Sequence, residues 1–520
     1  MSSPAANDGP SPLGQAWLRQ TLGLSVPAPA VESYLIAGAR RTERQGRRTL
    51  EFYPRTYAAG TAVTAHLRFA FRHEPIDLGV LVAALKAIDP AEIESWVRAE
   101  PTGVFSRKAW FFYETFTGRT LDLADTRAGN YVEALDPARH IVGERRNSPR
   151  HRVIDNLLGG IGLCPTVRKT PRLLEQIGLH IDDEARVLIG SYDQAILARA
   201  VNYLYTKETR SSFAIEGETP SANRTERFVA ALKAAPGFHP DKPSLIQLQG
   251  DIVDPRYAAK DWRNLQNFVG ATIGDYREEV HFICPKPRDV ASLMDGWMAL
   301  TARAMSDAVD PVAAAAIVAF ALVFIHPFED GNGRIHRLMM HHILAKRGFS
   351  PTGIIFPVSA AILRERRSYD DVLETFSKPL AEFIDWCWTE DQQIAVANDT
   401  ADLYRYFDGT AFVEYLYDRV ADTVRYDLRE ELGFVAVFDN AMLGVREIVD
   451  MPDRRASLFV RLCMQNDGRL AGAKRSHFAE LTDAEVTRLE AAVRKAIEAE
   501  AGAGSSHPTT RSGTSKNGQT

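Results

Sequence analysis

The sequence is poor in the features that assign a chain to a disulfide-bonded or zinc-binding class. Its 520 residues include four cysteines, which lie far apart, with no Cys-x-x-C pair and no Cys/His spacing of the zinc-site kind. The cysteines are Cys164, Cys284, Cys387 and Cys463. We expect them to be buried free thiols.

Long apolar runs and an excess of one charge are also missing. The N-terminus lacks the basic and apolar regions of a signal peptide, and no apolar run approaches membrane-spanning length. These observations predict a cytoplasmic protein with no membrane partner. The 62 Lys and Arg residues against 67 Asp and Glu give a formal net charge of -5, so nucleic-acid binding is not indicated.

What is present is an ordinary globular composition with five predicted segments. Small polar residues mark both ends, and hydrophobic periodicity separates a mixed region from two helical ones. The predicted segments are a disordered tail (1–14), a mixed α/β domain (15–181), a helical catalytic domain (182–390), a helical C-terminal domain (391–498) and a disordered tail (499–520).

The mixed α/β prediction depends on β-prone runs that begin at Thr61 and Lys108, beside a helical stretch near 78–99. In the next segment, apolar residues recur with helical period in six stretches. These are 191–209, 223–235, 288–307, 311–325, 333–347 and 366–388. The C-terminal segment is predicted helical with a capping box at Thr482 and Glu485, and a winged-helix-like module is an alternative.

Basic residues are concentrated in the segment 139–172. They are Arg139, Arg145, Arg146, Arg150, Arg152, Arg168, Lys169 and Arg172. An anion site is one interpretation, and a solvated linker face is the one we favour.

The sharpest feature is the segment His326-Pro-Phe-Glu-Asp-Gly-Asn-Gly-Arg-Ile-His-Arg337, between two predicted helices. Gly331 and Gly333 let the main chain approach a ligand, and the start of the following helix offers free N–H groups and the positive end of its dipole. Arg334 and Arg337 lie three residues apart on that helix, where both can bind phosphate oxygens. The pattern indicates a polyphosphate site.

Two other residues of this loop suggest catalysis. Asp330 is a carboxylate beside a phosphate site, as expected of a single protein ligand of Mg²⁺ or Mn²⁺. A histidine side chain ordinarily titrates near neutral pH, so His326 is expected to accept a proton from an attacking hydroxyl. Phe328 is expected to pack beneath the loop. Each of these residues alone is explained equally well by an ordinary capped helix N-terminus. The order of all twelve residues from His326 to Arg337 is not.

This loop resembles the Fic signature H-P-F-x-(D/E)-G-N-G-R-x-x-R at every specified position. The resemblance implies a mainly α protein with an all-helical Fic core. It also implies that His326 is the general base and that Asp330 binds the metal. The residues implied around the ATP phosphates are Gly331, Asn332, Gly333, Arg334 and Arg337. A glycine at 333, where related Doc toxins carry lysine, implies AMP transfer rather than phosphoryl transfer.

Two further stretches resemble the same family. Arg277–Pro287 is similar to the β-hairpin flap that pairs with the target backbone, and its docking residues are Val280, His281, Phe282 and Ile283. An ordinary hairpin with a proline-rich exit is the alternative. Tyr369 stands where many members carry two tyrosines near the adenine.

Ser212-Phe-Ala-Ile-Glu216-Gly217 resembles the family's inhibitory motif (S/T)-x-x-x-E-(G/N). Ser212 and Glu216 are four residues apart and share a helix face. Glu216 is expected to pair with Arg337, which would otherwise bind the γ-phosphate. The alternative is a surface glutamate.

The resulting prediction is transfer of AMP from ATP to a Ser, Thr or Tyr hydroxyl of a target protein, autoinhibited by Glu216, with self-modification as an additional outcome. Removal of AMP by the same site is the alternative, and phosphocholine transfer is a weaker one. A non-catalytic binding or regulatory module is the alternative from another class. For His336, His341 and His342 we expect packing or exposure rather than a metal site.

Overall fold

The computed structural model describes residues 9–273 and 277–505. The chain divides into two compact units. One is Met1–Asp182 with Tyr205–Thr423, and the other is Asp183–Leu204 with Val424–Thr520. The fold is mainly α, as predicted.

The first unit begins with a four-stranded sheet of order β1-β2-β4-β3. Its strands are β1 Ser11–Leu13, β2 Val31–Ile36, β3 Arg41–Gln45 and β4 Arg48–Pro54. The pair β2–β4 is parallel, and β1–β2 and β3–β4 are antiparallel. Strand β1 lies inside the segment 1–14 that was predicted disordered, because it pairs with β2; residues 1–8 of that segment lie outside the described residues.

Five helices follow or flank this sheet. They are α1 Gly14–Thr21, α2 Val63–His73, α3 Leu78–Ala87, α4 Pro90–Ala99 and α5 Val104–Thr117. The helical stretch near 78–99 is confirmed as α3 and α4, which Asp77 and Asp89 cap at their first N–H groups. The β-prone runs from Thr61 and Lys108 are helices instead, so that prediction was wrong. Helix α5 is buried on most of its faces, and burial overrides the β-propensity of its aromatic residues.

Short strands then join the sheet region to the helical core. They are β5 Val132–Glu133, β6 His140–Ile141, β7 Arg146–Ser148, β8 Val153–Asp155 and β9 Val167–Arg168. The basic segment 139–172 surrounds them, and its arginines mostly have acidic or carbonyl partners. Arg150 binds Glu114 at 2.9 Å, and Arg168 binds Asp408 at 2.7 Å. These contacts pair the basic segment with other parts of the first unit, which neither sequence interpretation anticipated.

The middle of the chain is mostly helical. Its helices are α6 Pro171–Gly178, α7 Ile181–Gly190, α8 Gln194–Ile215, α9 Ala222–Ala234, α10 Lys242–Ile252, α11 Pro287–Ala304, α12 Pro311–Ile325, α13 Asn332–Lys346, α14 Val358–Arg364 and α15 Arg366–Ala381. Its strands are β10 Phe268–Ile273, β11 Arg277–Ile283, β12 Trp386–Trp388 and β13 Ile394–Val396. All six predicted helical stretches contain a helix, and five of them have ends shifted by at most six residues. The sixth, 366–388, was predicted too long, because α15 ends at Ala381 and Trp386–Trp388 form strand β12.

Helix α12 is the centre of this region, since nearly all of its side chains are buried and apolar. Helices α16 Ala401–Arg405 and α17 Thr410–Asp422 complete the first unit. Phe412 of α17 stacks on Phe320 of α12 with ring centroids 4.7 Å apart. The first unit therefore continues past the boundary predicted at 390.

The second unit is helical in its described residues. Besides most of α7 and the first part of α8, it contains α18 Arg429–Ile448, α19 Asp453–Met464 and α20 Asp483–Ser505. Its core includes Val437, Phe459, Phe478 and Leu489. No strand follows β13 in the described chain, so the winged-helix alternative lacks the hairpin that it needs.

The start and end of α20 test two further predictions. The backbone N–H of Thr482 donates to Glu485 at 2.7 Å, and Glu485 N donates back to Thr482 Oγ1 at 3.3 Å, which confirms the capping box. The helix runs to Ser505, so residues 499–505 are not a disordered tail; residues 506–520 lie outside the described residues.

Three of the four cysteines are buried free thiols, as predicted, and Cys387 is exposed on β12. Within the described ranges, none of the helices has the length and apolar character needed to cross a bilayer.

One close backbone contact joins the β-rich region to α11. A Cβ added at Gly296 would lie 2.4 Å from the carbonyl carbon of Gly162, a distance that real side chains do not tolerate. We predict that Gly296→Ala destabilises the protein by about 1–3 kcal/mol, because the two backbones must separate. The measurement is thermal unfolding followed by circular dichroism.

Gly250→Ala is the matched control, because Gly250 is also inside a helix and its added Cβ would lie an ordinary 3.6 Å from Ala258. This control should be stabilised by about 0.5–1 kcal/mol through helix propensity. Equal melting temperatures for the two variants would contradict the close-contact argument.

Candidate active site

The loop between α12 and α13 begins with a strained residue. His326 ends α12 in the left-handed conformation, with φ 52°, and its N–H donates to Leu322 O at 2.9 Å. This conformation is unusual for a residue with a side chain. It turns the chain sharply, so that the loop runs back to the start of α13.

The contacts of His326 define its tautomer. Its Nδ1 lies 3.2 Å from the carbonyl oxygen of Val323. Because a carbonyl oxygen only accepts, Nδ1 carries the proton and Nε2 keeps a free lone pair. Burial, followed by the nearby Arg263 guanidinium, lowers the pKa of His326 to about 4. The imidazole is therefore neutral at pH 7, the form in which it accepts a proton.

Arg263 fixes the backbone of this turn and is a residue that sequence analysis missed. Its Nε donates to His326 O at 2.7 Å, and its own N–H donates to Pro327 O at 2.9 Å. A further nitrogen, Nη2, donates to Pro285 O at 2.7 Å, just after β11. One buried guanidinium thus connects the loop that begins at His326 to the base of the hairpin.

The side chain of Asn332 stabilises the loop by hydrogen bonds to the loop's own backbone. Its Oδ1 accepts from Phe328 N at 3.0 Å, and its Nδ2 donates to Phe328 O at 2.8 Å. The side chain of Phe328 is fully buried and lies 5.3 Å from the Trp262 ring, as expected of a residue beneath the loop. The side chain of Asn332 therefore shapes the loop, and a contact of Asn332 with phosphate stays a prediction.

Gln249 is the second support that the sequence did not indicate. Its buried amide donates to Asp330 O at 3.2 Å and to Tyr257 O at 3.2 Å, and its Oε1 accepts from Ala259 N at 2.7 Å. Helix α10 thereby fixes the position of the Asp330 backbone within the loop. A cleft of 680 Å³ opens beside Asp330 and Glu329.

Asp330 meets the requirements of a metal ligand. Its side chain is 50% exposed, and its Oδ1 accepts from Gly331 N at 2.6 Å and from Arg334 Nη2 at 2.6 Å. Within the described part of the chain, Oδ2 makes no hydrogen bond. Mg²⁺ commonly takes one or two carboxylates together with phosphate oxygens and water, so a single half-exposed carboxylate fits.

The start of α13 is suited to bind an anion. Gly331 precedes it with φ 93°, and the first intrahelical bond runs from Ile335 N to Gly331 O at 3.0 Å. The N–H groups before Ile335 therefore have no intrahelical acceptor, and the helix dipole is positive there.

Arg337 is held by the predicted inhibitory segment. Its side chain is 1% exposed, its Nε donates to Ser212 Oγ at 2.9 Å, and its Nη2 donates to Ser212 O at 2.7 Å and to Glu216 Oε1 at 2.8 Å. Burial alone would raise the pKa of Glu216, but Arg337 outweighs burial and lowers it. The structure thus brings Ser212, Glu216 and Arg337 together.

Gly333 makes room for this pair. A Cβ at position 333 would lie 2.2 Å from Glu216 Oε1 and 3.3 Å from Arg337 Nη1. The Glu216 carboxylate therefore lies against the first turn of α13, where phosphate oxygens were predicted.

Arg334 has two acidic partners. It binds Asp330, and its Nη2 lies 3.2 Å from Oε1 of Glu218. Glu218 was not singled out from the sequence, although it stands two residues after Glu216.

The predicted flap is an antiparallel hairpin of β10 and β11, with a register shift between Val269 and Gly270; residues 274–276 lie outside the described residues. Among the expected docking residues, His281 is exposed, Val280 and Phe282 are half-buried, and Ile283 is buried. Phe282 packs 5.9 Å from Phe324 of α12. The role of this hairpin in docking stays a prediction.

Tyr369 lies inside the core rather than at its surface. It is 6% exposed, and its ring centroid lies 6.2 Å from that of His336 and 6.1 Å from that of Tyr415. Burial raises the pKa of Tyr369 to about 12. Its contact with adenine stays a prediction.

The three histidines of α13 are buried, in keeping with the packing expected of them. His336 Nδ1 lies 2.7 Å from Ala319 O, His342 Nδ1 lies 2.7 Å from Ala235 O, and His341 Nε2 lies 2.7 Å from Glu208 Oε1.

Comparison with known proteins agrees with the resemblance seen in the loop. Residues 241–344 match the model of a family described as "Fic/DOC family". A protein named "Protein adenylyltransferase Fic" from Nematostella vectensis is 27% identical over 284 residues, which cover 49% of this chain and 64% of that protein. A relative of the same name from Drosophila mojavensis is 29% identical over 206 residues, covering 36% of this chain and 41% of that protein.

Among solved structures, a Fic family protein from Desulfovibrio desulfuricans G20 aligns at 18% identity with a TM-score of 0.36, covering 64% of this chain and 90% of that chain. The alignments to the two curated relatives span less than two thirds of their length. The resemblance of the catalytic segment to the Fic family is confirmed by the family match.

The two hydrogen bonds of Asn332 lead to a stability prediction. Asn332→Ala leaves both polar backbone groups of Phe328 buried without partners, which should destabilise the protein by about 1–3 kcal/mol. Thermal unfolding followed by circular dichroism would measure this change. Asn332→Asp would place a buried carboxylate oxygen about where the amide donates to Phe328 O, so it should destabilise the protein at least as much as Asn332→Ala.

Glu329→Ala is the control for this measurement, because Glu329 is exposed in the same loop. Its melting temperature should equal that of the unmodified protein. If Asn332→Ala also had that melting temperature, Asn332 would not be the support of the loop.

Proposed function

We propose that this chain, whose residues 241–344 match the Fic/DOC family, transfers AMP from ATP to a Ser, Thr or Tyr hydroxyl of a target protein. The observation that carries the proposal is the grouping, on one loop, of a basic imidazole nitrogen, a free carboxylate oxygen and a helix start flanked by two arginines. The curated relatives named protein adenylyltransferase Fic support the same reaction.

In this reaction the target hydroxyl loses its proton to Nε2 of His326, and its oxygen forms a bond to the α-phosphorus. The bond from the α-phosphorus to the bridging oxygen breaks, and pyrophosphate leaves. The tautomer set by Val323 presents the free lone pair of Nε2, and the lowered pKa keeps it unprotonated at pH 7.

The phosphates are bound by the start of α13. Its free N–H groups and the two arginines are donors that gain strength as negative charge develops on the transferred phosphate. Asp330 is the residue that would hold Mg²⁺ through Oδ2. When bound, the metal supplies positive charge that neutralises the triphosphate.

The contacts of Glu216 support the proposal that this conformation is inhibited. Glu216 accepts from Arg337, and its carboxylate lies where Gly333 leaves room beside the first turn of α13. A carboxylate and a phosphate compete for the same donors. We therefore assign Glu216 the role of an internal inhibitor that misaligns ATP or excludes its γ-phosphate.

The reaction is tested with radiolabelled ATP. We predict that label from α-labelled ATP, and not from γ-labelled ATP, appears on protein when the chain is incubated with Mg²⁺ and a lysate of its own cell. His326→Ala should still bind ATP and should lose about a hundredfold or more of the labelling rate, since a general base contributes that much.

Chelation of the divalent metal should abolish labelling as well. Transfer of the γ-label alone would show a kinase, and full labelling by His326→Ala would exclude His326 as the base.

Inhibition is tested with two variants of Glu216. Glu216→Gln removes the charge and keeps a good helix former, and Glu216→Gly also removes the side chain. Both should label more strongly than the unmodified protein, because Arg337 becomes free for ATP. His326→Ala is then added to each variant. A gain in labelling that comes from catalysis by this site should disappear, which distinguishes release from inhibition from a merely loosened helix.

Unchanged labelling in both folded variants would show that Glu216 is not inhibitory. Loss of an AMP-removing activity in the same variants would favour the reverse reaction, with Glu216 orienting the attacking water.

A further inference from the structure

A second glutamate of the inhibitory segment contacts the other arginine of the catalytic loop. Glu218 Oε1 lies 3.2 Å from Arg334 Nη2, and Glu218 Oε2 lies 3.3 Å from Arg334 Nη1. The Arg334 side chain is 1% exposed, and its Nε has no hydrogen-bond partner among the described residues. Arg334 is thus a buried cation that retains an unused N–H.

The end of helix α8 places both glutamates at once. Glu218 N donates to Phe213 O at 3.0 Å, and Gly217 N donates to Ala214 O at 3.0 Å. Gly217 has φ 73°, the left-handed conformation that glycine adopts without strain. These bonds form a Schellman cap, in which the residues before and after the glycine have fixed positions. One turn therefore presents Glu216 to Arg337 and Glu218 to Arg334.

Glu218 is itself held by a second cation. Arg224 Nη2 donates to Glu218 Oε2 at 2.8 Å, and its guanidinium lies 5.0 Å from the centroid of the Phe213 ring. The Arg334 guanidinium lies 5.2 Å from the same centroid. Phe213 is fully buried, so it supports both arginines while Glu218 bridges them.

We propose that Glu218 is a second inhibitory carboxylate, which occupies Arg334 in competition with the phosphates of ATP. The inference rests on the proposed function, because it assigns regulation to the same nucleotide site. Arg334 and Arg337 lie three residues apart on α13, so a polyphosphate that binds the paired Nη2 groups of both must displace both glutamates. Inhibition then has two separable contacts, and removal of Glu216 alone leaves one of them in place.

The contact with Asp330 adds to this competition. Arg334 Nη2 binds Asp330 Oδ1 and Glu218 Oε1. With Glu218 neutral, Arg334 keeps one anionic partner and gains capacity for another. A phosphate oxygen is the partner that ATP brings.

Binding is tested by titration calorimetry with ATP and Mg²⁺ in the His326→Ala background, where ATP is not consumed. The variants are Glu218→Gln, Glu216→Gln and the double variant, and the probes are ATP and adenosine. We expect Glu218→Gln to tighten ATP binding at least about threefold, the size of one partly exposed ion pair. The double variant should bind ATP more tightly than either single variant.

Adenosine separates competition from a structural role. Because it carries no phosphate, its affinity should not change, whereas a variant that merely loosened the site would alter both ligands. Glu226→Gln, on the exposed face of α9, is the matched control and should leave both affinities unchanged.

Equal or weaker ATP binding by folded Glu218→Gln, alone and with Glu216→Gln, would overturn the proposal. This result is distinct from failure of the proposed function, which appears as an absence of α-label transfer by variants with an intact His326. A gain in ATP affinity without label transfer would support the role of Glu218 and contradict AMP transfer.

Discussion

Two buried guanidinium groups on one helix face set the requirements of this site. Arg334 and Arg337 are each 1% exposed, and a charge removed from water so completely needs an anionic partner. In this conformation the protein supplies the partners itself, from Glu216, Glu218 and Asp330. The proposed ATP phosphates would supply the same charge, so the proposed inhibition and ATP binding would each meet the same electrostatic requirement.

The loop around these arginines is built from hydrogen bonds to backbone groups. Asn332 closes it on Phe328, Arg263 holds the carbonyls of His326 and Pro327, and Gln249 holds that of Asp330. The side chains proposed to react are thereby positioned with one polar atom of each left free. His326 keeps Nε2 free, and Asp330 keeps Oδ2.

The proposed inhibition by a helix end has a simple physical advantage. A Schellman cap fixes the backbone on both sides of Gly217, so both carboxylates are positioned at little entropic cost. The ion pairs are partly exposed, at 35% for Glu216 and 33% for Glu218, and solvent weakens them. Contacts of this strength can be exchanged for a ligand, whereas a fully buried pair would resist release.

The sequence by itself determined the elements whose signals are local. Helical periodicity predicted α8, α11, α12, α13 and α15, and the order His326 to Arg337 predicted the loop and its chemistry. The pairing of Glu216 with Arg337 was also expected, because it follows from a motif. Local patterns were insufficient where burial decided the outcome, as in α2 and α5, whose aromatic residues indicated strands.

The tertiary structure alone decided which distant side chains support the site. Arg263, Gln249 and Glu218 reach the loop from other elements, and nothing in their immediate sequence specifies a partner 63, 81 or 116 residues away. It also decided that the side chain of Asn332 points inward, that Tyr369 is buried, and that the basic residues of 139–172 are mostly paired. The physical reason is that desolvation and hydrogen-bond satisfaction depend on what packs against a residue, and packing is a property of the whole fold.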